Sequence, residues 1–342
     1  MAASFLSHVM YTSRNTCAEK LSQIHIVFDQ YFEQSIKNDT REKRTSCSKA
    51  NIHHVLLYGT VPKDWRLFLS RDENKASLAE CHSNYIKQNG QKELKQGQKS
   101  FLNGGAGEKA YAMFNREHAE DISDKERCAQ LYSNQEETDT RIVLHAIFVA
   151  NNGVKNLVIQ SPDTDVLVLL IHYHSAIYAC EIYFATGQAR KHASLKRYIP
   201  IHTLYDILYP HQHVVMLPIY CLTGCDTVSA FYGHGKATAF RLIMQKAEQF
   251  EVLKTLGTRP YITSQEITLT MRLVCKIYGY CSDSLNDLRC KLASDRKARR
   301  VGKKLPPTED SFLLHLLRAV YQLMIWIQAD QGYQDLPDPT EY

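Results

Sequence analysis

The chain lacks an apolar run of transmembrane length. Across its 342 residues the longest nearly unbroken apolar stretches, 142–150 and 214–222, fall well short of the roughly 20 residues that span a bilayer. A basic start followed by an apolar core is also missing, because Ser7, His8 and Thr12 interrupt residues 1–14, so no secretory leader is expected. The ten cysteines, at 17, 47, 81, 128, 180, 221, 225, 275, 281 and 290, include no C-x-x-C pair. A chain this long builds a core without covalent staples, and reduced thiols in a cytosolic or nuclear protein are expected. Glycine (15) and proline (10) are too sparse for a collagen-like chain, and no internal repeat is visible. Neither sign of charge dominates: 41 Lys and Arg against 36 Asp and Glu leave +5, compatible with a nucleic-acid partner but not diagnostic of one.

What is present is ordinary globular material, 44% hydrophobic and 23% charged, enough for one large domain or two small ones. Composition divides it into an N-terminal part (1–87), a flexible insertion (88–120) rich in Gln, Gly and Lys, a strongly patterned core (121–250), a helical extension (251–330) and a frayed tail (331–342). Residues 24–28 and 156–161 are short β-rich runs that each end at an acidic turn, and 180–185 is a third strand. Residues 138–150 carry a helical stripe, and 201–208, 236–244 and 311–326 read as helices. The stripe Phe312, Leu313, Leu316, Leu317, Val320, Leu323 and Met324 is core. Alternating strands and helices predict an α/β fold with a doubly wound parallel sheet, in which ligands sit beyond the carboxyl ends of the strands.

Acidic residues collect where that rule puts the ligand. Asp29 closes IHIVFD, Glu137 and Asp139 sit at a helix start with Glu136 beside them, Asp163 and Asp165 follow a strand in SPDTD, and Asp226 lies in LTGCDT. Packed carboxylates repel and raise one another's pKa unless cations hold them. Mg²⁺ takes oxygen ligands, and two such ions about 3.5–4 Å apart activate a water and stabilise a leaving oxygen in phosphodiester hydrolysis. Each motif alone has a plainer reading. Asp163 also suits a turn or a helix cap, acids at 137 and 139 suit a helix dipole, and a DxD occurs in metal-dependent glycosyltransferases.

The series VFD (27–29), ETDT (137–140), SPDTD (161–165) and TGCDTVSAFYGHGKATA (223–239) resembles the flap-endonuclease-like branch of the PIN-like nucleases. Closer still is a group of largely uncharacterised metazoan proteins often found near mobile elements, which carry counterparts of EETDTRIVLHA, LTGCDTVSAFYGHGK and LPPTEDSFLLHLLRAVYQLMIW. The resemblance implies a PIN-like fold in which Glu137, Asp139, Asp163, Asp165 and Asp226, with Asp29, bind two Mg²⁺ or Mn²⁺ ions that cut DNA or RNA. It further implies that Lys37, Arg41 and Arg44 place the scissile phosphate, and that Gly233, Gly235 and Lys236 form a hairpin turn gripping duplex backbone; an exposed charged helix and a plain tight turn are the competing readings of those two segments. Family members open with a central strand ending in a further catalytic Asp. Here residues 5–21 read as the first helix with no such strand before it, so the sheet is expected to lack its first central strand, through truncation or as a binding module without catalysis.

Other chemistry is thinner. His172-Tyr173-His174 and His211-Gln212-His213 have an H-x-H spacing that zinc uses, but no Cys or acid stands at ligand spacing nearby. Cys221 and Cys225 read as buried thiols rather than nucleophiles. The stretch 289–304 suits phosphate contact, a nuclear-import signal or a solvated loop. The sequence thus predicts an intracellular, nuclear rather than cytoplasmic, membrane-free metal-dependent nuclease, or a non-catalytic nucleic-acid or protein binding module derived from one.

Overall fold

The computed structural model describes residues 1–17, 21–32, 35–37, 51–57, 59, 62–115, 128–178, 180–187, 197–294 and 305–342. It is α/β, with two small mixed sheets, and it divides into two compact units. Unit 1 comprises residues 1–154 and 329–335; unit 2 comprises 155–328 and 336–342. Arg41 and Arg44, and all but the first residues of the basic stretch 289–304, lie outside the described residues.

Unit 1 runs α1 (Ala2–Cys17), β1 (Gln23–Val27), α2 (Trp65–Phe68), α3 (Asp72–Asn89), β2 (Lys99–Asn103), β3 (Tyr111–Phe114) and α4 (Thr138–Asn151). β1 alternates, with Ile24 and Ile26 buried, and it pairs in parallel with β2 from Gln23↔Lys99 to Val27↔Asn103. β3 closes the sheet antiparallel to β2. Ile24, Ile26 and Leu102 share one apolar cluster with Leu6, Met10, Ile86, Leu94 and Met113, so α1 and α3 cover the sheet with their buried faces. The stretch 88–120, expected as a flexible insertion, therefore contains the central strand of this sheet. Gln96, Gly97, Gly104, Gly105 and Gly107 flank the strand in turns, while Phe101 and Leu102 within it are buried.

Unit 2 begins with β4 (Asn156–Gln160), α5 (Thr164–His172), α6 (His174–Ile177), β5 (Glu181–Thr186) and β6 (Arg197–Pro200). β4 and β5 are parallel and β6 is antiparallel to β5. The three expected strands are present as β1, β4 and β5, the last two paired in parallel, but among the described residues each sheet has three strands and one antiparallel edge in place of one doubly wound parallel sheet. Helices follow: α7 (Ile201–Leu208), α8 (Gln212–Leu222), α9 (Lys236–Lys246), α10 (Ser264–Ile277), α11 (Leu285–Ser294) and α12 (Glu309–Ile327). α8 is apolar on nearly every side and packs against α5, α9 and α12, which makes it the buried axis of the helical layer. α10 starts with a capping box in which Thr263 and Glu266 satisfy each other's backbone N–H groups. Among the described residues no helix is long and apolar enough to cross a membrane.

The tail is anchored rather than frayed. In unit 1 the buried Gln135 amide donates to the carbonyls of Ala329 (3.2 Å) and Gln331 (2.5 Å), and Asn134 exchanges hydrogen bonds with Gln334. In unit 2 the Tyr342 hydroxyl donates to the Pro260 carbonyl at 2.8 Å. Polar side chains hold this segment through its backbone, which a hydrophobic pattern does not reveal.

Candidate functional site

The six acids divide evenly, with Asp29, Glu137 and Asp139 in unit 1 and Asp163, Asp165 and Asp226 in unit 2. In unit 1 the chain leaves β1 through Phe28, whose N–H donates to the Asn103 carbonyl at 2.9 Å. Gly104, with φ of 80°, turns tightly beside it, and a Cβ there would run into the Phe28 carbonyl oxygen. This close approach delivers Asp29 to the start of α4. One Asp29 carboxylate oxygen accepts from the Thr138 backbone N–H at 2.7 Å and from the Thr138 hydroxyl at 2.6 Å. Glu137 occupies the N-cap position yet makes no cap hydrogen bond; a carboxylate more than a hundred residues away in sequence supplies it.

Glu137 is buried and pairs with the Lys37 ammonium at 2.9 Å, and Glu136 accepts from the Ser35 hydroxyl at 2.6 Å. Asp139 is half-buried in the first turn of α4. The same corner rests on a fully buried Arg141. Its guanidinium donates to the Gln135 carbonyl (2.8 Å), the Asn103 side-chain oxygen (2.5 Å) and the Ser133 carbonyl (3.2 Å), which ties β2 to the segment entering α4. Burial pulls its pKa down to about 10, opposed by Asp29 and Glu108. Next to it the His25 and His145 rings meet Nδ1 to Nδ1 at 2.7 Å, with His25 Nε2 3.3 Å from the Gln23 side-chain oxygen. That oxygen only accepts, so His25 carries its proton on Nε2 and His145 donates from Nδ1. Burial takes His25 down to about 3 and His145 well below the usual imidazole range.

In unit 2, Asp163 caps α5 at the end of β4, accepting from the Asp165 N–H at 2.9 Å, so the plainer reading of this residue holds as a structural fact. Asp165 accepts from the Tyr220 hydroxyl at 2.6 Å, and that hydroxyl also meets Thr164 at 2.7 Å. Burial, then the bond to Asp165, hold the Tyr220 phenol well above its usual range. Over the Tyr220 ring, 3.2 Å from its centroid, sits the Lys236 ammonium, which donates to the carbonyls of Tyr220 (2.8 Å) and Gly224 at the end of α8. Burial lowers the Lys236 pKa while Asp165 opposes it. Gly233, with φ of 75°, and Gly235, the N-cap of α9, are exposed as expected of a turn opening a helix, but Lys236 points its charge inward to a helix C-terminus. Asp226 is exposed in the turn after α8.

That turn also holds the two cysteines. Cys221 is fully buried on α8; Cys225 is partly exposed, and its sulfur lies 3.4 Å from the Thr227 hydroxyl. The Cys221 hydrogen bond brings Cys225 down to about 7, against its burial. Of the spaced histidines, His172 closes α5 and burial lowers it to about 4, with His213 adding to the shift.

Arg141 and Tyr220 escaped the motif reading, though each leaves a trace. Arg141 falls on the buried stripe of its helix with Leu144, His145 and Phe148, where a charge demands partners. Tyr220 is the polar-tipped residue of an otherwise apolar MLPIYCL run. Compared with protein-family models, with curated proteins and with solved structures, the chain matches none of them.

Proposed function

We propose that this chain is a divalent-metal-dependent nuclease of PIN-like fold, in the flap-endonuclease-like branch, that hydrolyses phosphodiester bonds of DNA or RNA with Mg²⁺ or Mn²⁺. The observation that carries the proposal is the bond from Asp29 to the start of α4. It gathers Asp29, Glu137 and Asp139 at one corner beyond the carboxyl end of a parallel strand, where α/β sheets take their ligands. The proposed metal ligands are Glu137, Asp139, Asp163, Asp165 and Asp226, with Asp29 a ligand or a water-mediated partner. All offer hard carboxylate oxygens, the donor type both ions select, and a bound ion would supply an activated water, so no side-chain nucleophile is needed. A nuclear site of action belongs to the same proposal, supported by the basic stretch 289–304.

The test is titration calorimetry with Mg²⁺ and Mn²⁺ on the chain and on an Asp163→Asn, Asp165→Asn variant, followed by incubation with labelled branched and single-stranded DNA and RNA. Metal binding that vanishes in the variant, with metal-dependent cleavage by the parent chain, is the expected result. Absence of both overturns the proposal.

One set of contacts favours a non-catalytic binding module instead. Lys37 neutralises Glu137, Thr138 engages Asp29 and Tyr220 engages Asp165, so these carboxylates have protein donors without any ion. On that reading nucleic acid binds with no turnover, and binding survives in the double Asn variant.

A further inference from the structure

We propose that the histidines where α6, α7 and α8 meet form an acid-sensitive latch, closed while His174 and His213 are neutral and opened when they take up protons, which frees α6 and α7 from the rest of unit 2. The device lies within unit 2 and is independent of the nuclease proposal. Tyr205 of α7 is its hub. The His174 ring of α6 packs against it with 4.6 Å between centroids, and the His213 ring of α8 meets it edge on at 4.9 Å while stacking on Tyr209 at 5.4 Å. His202, on the same helix as Tyr205, stands edge to the Tyr183 ring of β5 at 5.5 Å. Ring packing rather than hydrogen bonding holds these side chains. Both ring nitrogens of the buried His174, and Nδ1 of His202 and of His213, are shut off from solvent without a partner among the described residues.

A neutral imidazole has one N–H to place, whereas an imidazolium has two and a charge. His174 has an acceptor for neither. An aromatic face attracts one cation, but Tyr205 would carry two, which repel each other. The surrounding charges do little to offset this. Asp206 of α7 favours a charged His174 but is exposed, and His202 opposes it. The Leu208 carbonyl favours a charged His213, while His211 opposes it; His172, at the end of α5, is itself disfavoured as a cation by His213. Other titratable groups on the packed elements are engaged elsewhere. Glu248 lies 3.7 Å from His211, which also acts on Glu251; Glu181 of β5 accepts from the Tyr183 hydroxyl at 3.0 Å, and the Tyr173 hydroxyl donates to the Trp326 carbonyl. Burial accordingly holds His174 and His213 below the usual imidazole range and takes His172 down to about 4. Packed rings stay neutral, and each takes a proton near pH 6.5 once released, so the closed latch is fully favoured above about pH 6.5 and loses ground as the pH falls below it. The latch sits on the part best able to give way: α6 and α7 bury two residues each, against seven on α8.

The experiment follows hydrogen–deuterium exchange of the full chain by mass spectrometry between pH 7.5 and 5, with labelling times scaled to the intrinsic exchange rate. Below pH 6 the opening equilibrium read from peptides across 173–209 should rise by about tenfold per pH unit for each ring, while peptides from α8 and α12 lag behind. His174→Phe keeps a ring against Tyr205 and removes both nitrogens, so it should take one ring's share out of that dependence, and His213→Phe should do the same. His8→Gln, on the exposed side of α1, should leave it unchanged. If a Phe variant does not fold, histidine-ring NMR of the parent chain, assigned with His174→Gln and His213→Gln, decides: both rings should still be neutral at pH 6. Exchange across 173–209 that is the same at pH 5 as at pH 7.5, or that rises in step with α8 and α12, overturns the proposal. Either ring protonated at pH 6 while 173–209 stays protected overturns it as well.

Discussion

The Asp29 carboxylate caps a helix that begins at Thr138, receiving both the backbone N–H and the hydroxyl of that residue through a single oxygen. An acid proposed for metal chemistry therefore also has a structural duty, and the two separate by substitution. Asp29→Asn keeps a side-chain oxygen for the cap and removes the charge; Asp29→Ala removes both. Urea unfolding should show Asp29→Ala less stable by about 1 kcal/mol, the usual value of a lost cap, with Asn within a few tenths of the parent. Equal losses in both would mean that the charge, not the cap, does the stabilising.

Arg141 is a buried cation serving three acceptors from two segments. Replacing it with Met strands those acceptors, and a loss of about 3 kcal/mol is expected. Lys should not restore it, because one ammonium cannot span the fork that guanidinium fills. An Arg141→Lys chain with parental urea midpoint would sink this account of the corner.

The His25–His145 pair sets a pH dependence. Both rings are held neutral in the folded chain, His25 titrating only near 3, whereas in the unfolded chain each takes a proton near 6.5. Their contribution is fully present above about pH 6.5 and is lost progressively as the pH falls below it, by about 1.4 kcal/mol per pH unit for each ring. Arg141 adds to the cost of protonating His145. Unfolding midpoints measured from pH 7.5 to 4.5 should fall along that slope, and His145→Phe should flatten it. An NMR titration that finds either ring protonated in the folded chain at pH 6 would contradict the tautomers assigned above.

Lys236 discriminates between two roles. As an α8 C-terminal anchor its replacement by Met should cost about 2 kcal/mol in urea unfolding, the range for hydrogen bonds from a charged donor. As a phosphate grip, the same variant would keep its stability and lose affinity for duplex DNA with a reduced salt slope. The geometry predicts the first outcome, with any loss of binding following from the fold rather than from a missing contact.

Where a period of apolar residues was long enough, the elements could be read directly: α4 over Thr138–Asn151, α7 over Ile201–Leu208 and the parallel strands β1 and β4. β2 was hidden because KSFLN is short and sits between polar turns, and its strand character comes from two neighbours that pair with it. The separation into two sheets is decided by pairing across long stretches of chain, on which local pattern is silent. Of the site, the acids and their strand and helix ends were legible as types in order; their partners were not. Nothing in GHGK says that Lys236 turns back over Tyr220, since the carbonyls it satisfies belong to another helix. Nor does ETDTR announce that its Arg is interior, except through its place on the buried stripe.

The tail gives unit 1 a peculiar relation to time. Its Gln135 amide hydrogens find the carbonyls of Ala329 and Gln331, yet the ribosome delivers those residues only after the whole of 155–328 has been made. The first unit therefore has residues 1–154 made before the second begins, yet the acceptors of its Gln135 amide arrive only with 329–335, so its last hydrogen bonds close after nearly all of the second unit has been synthesised.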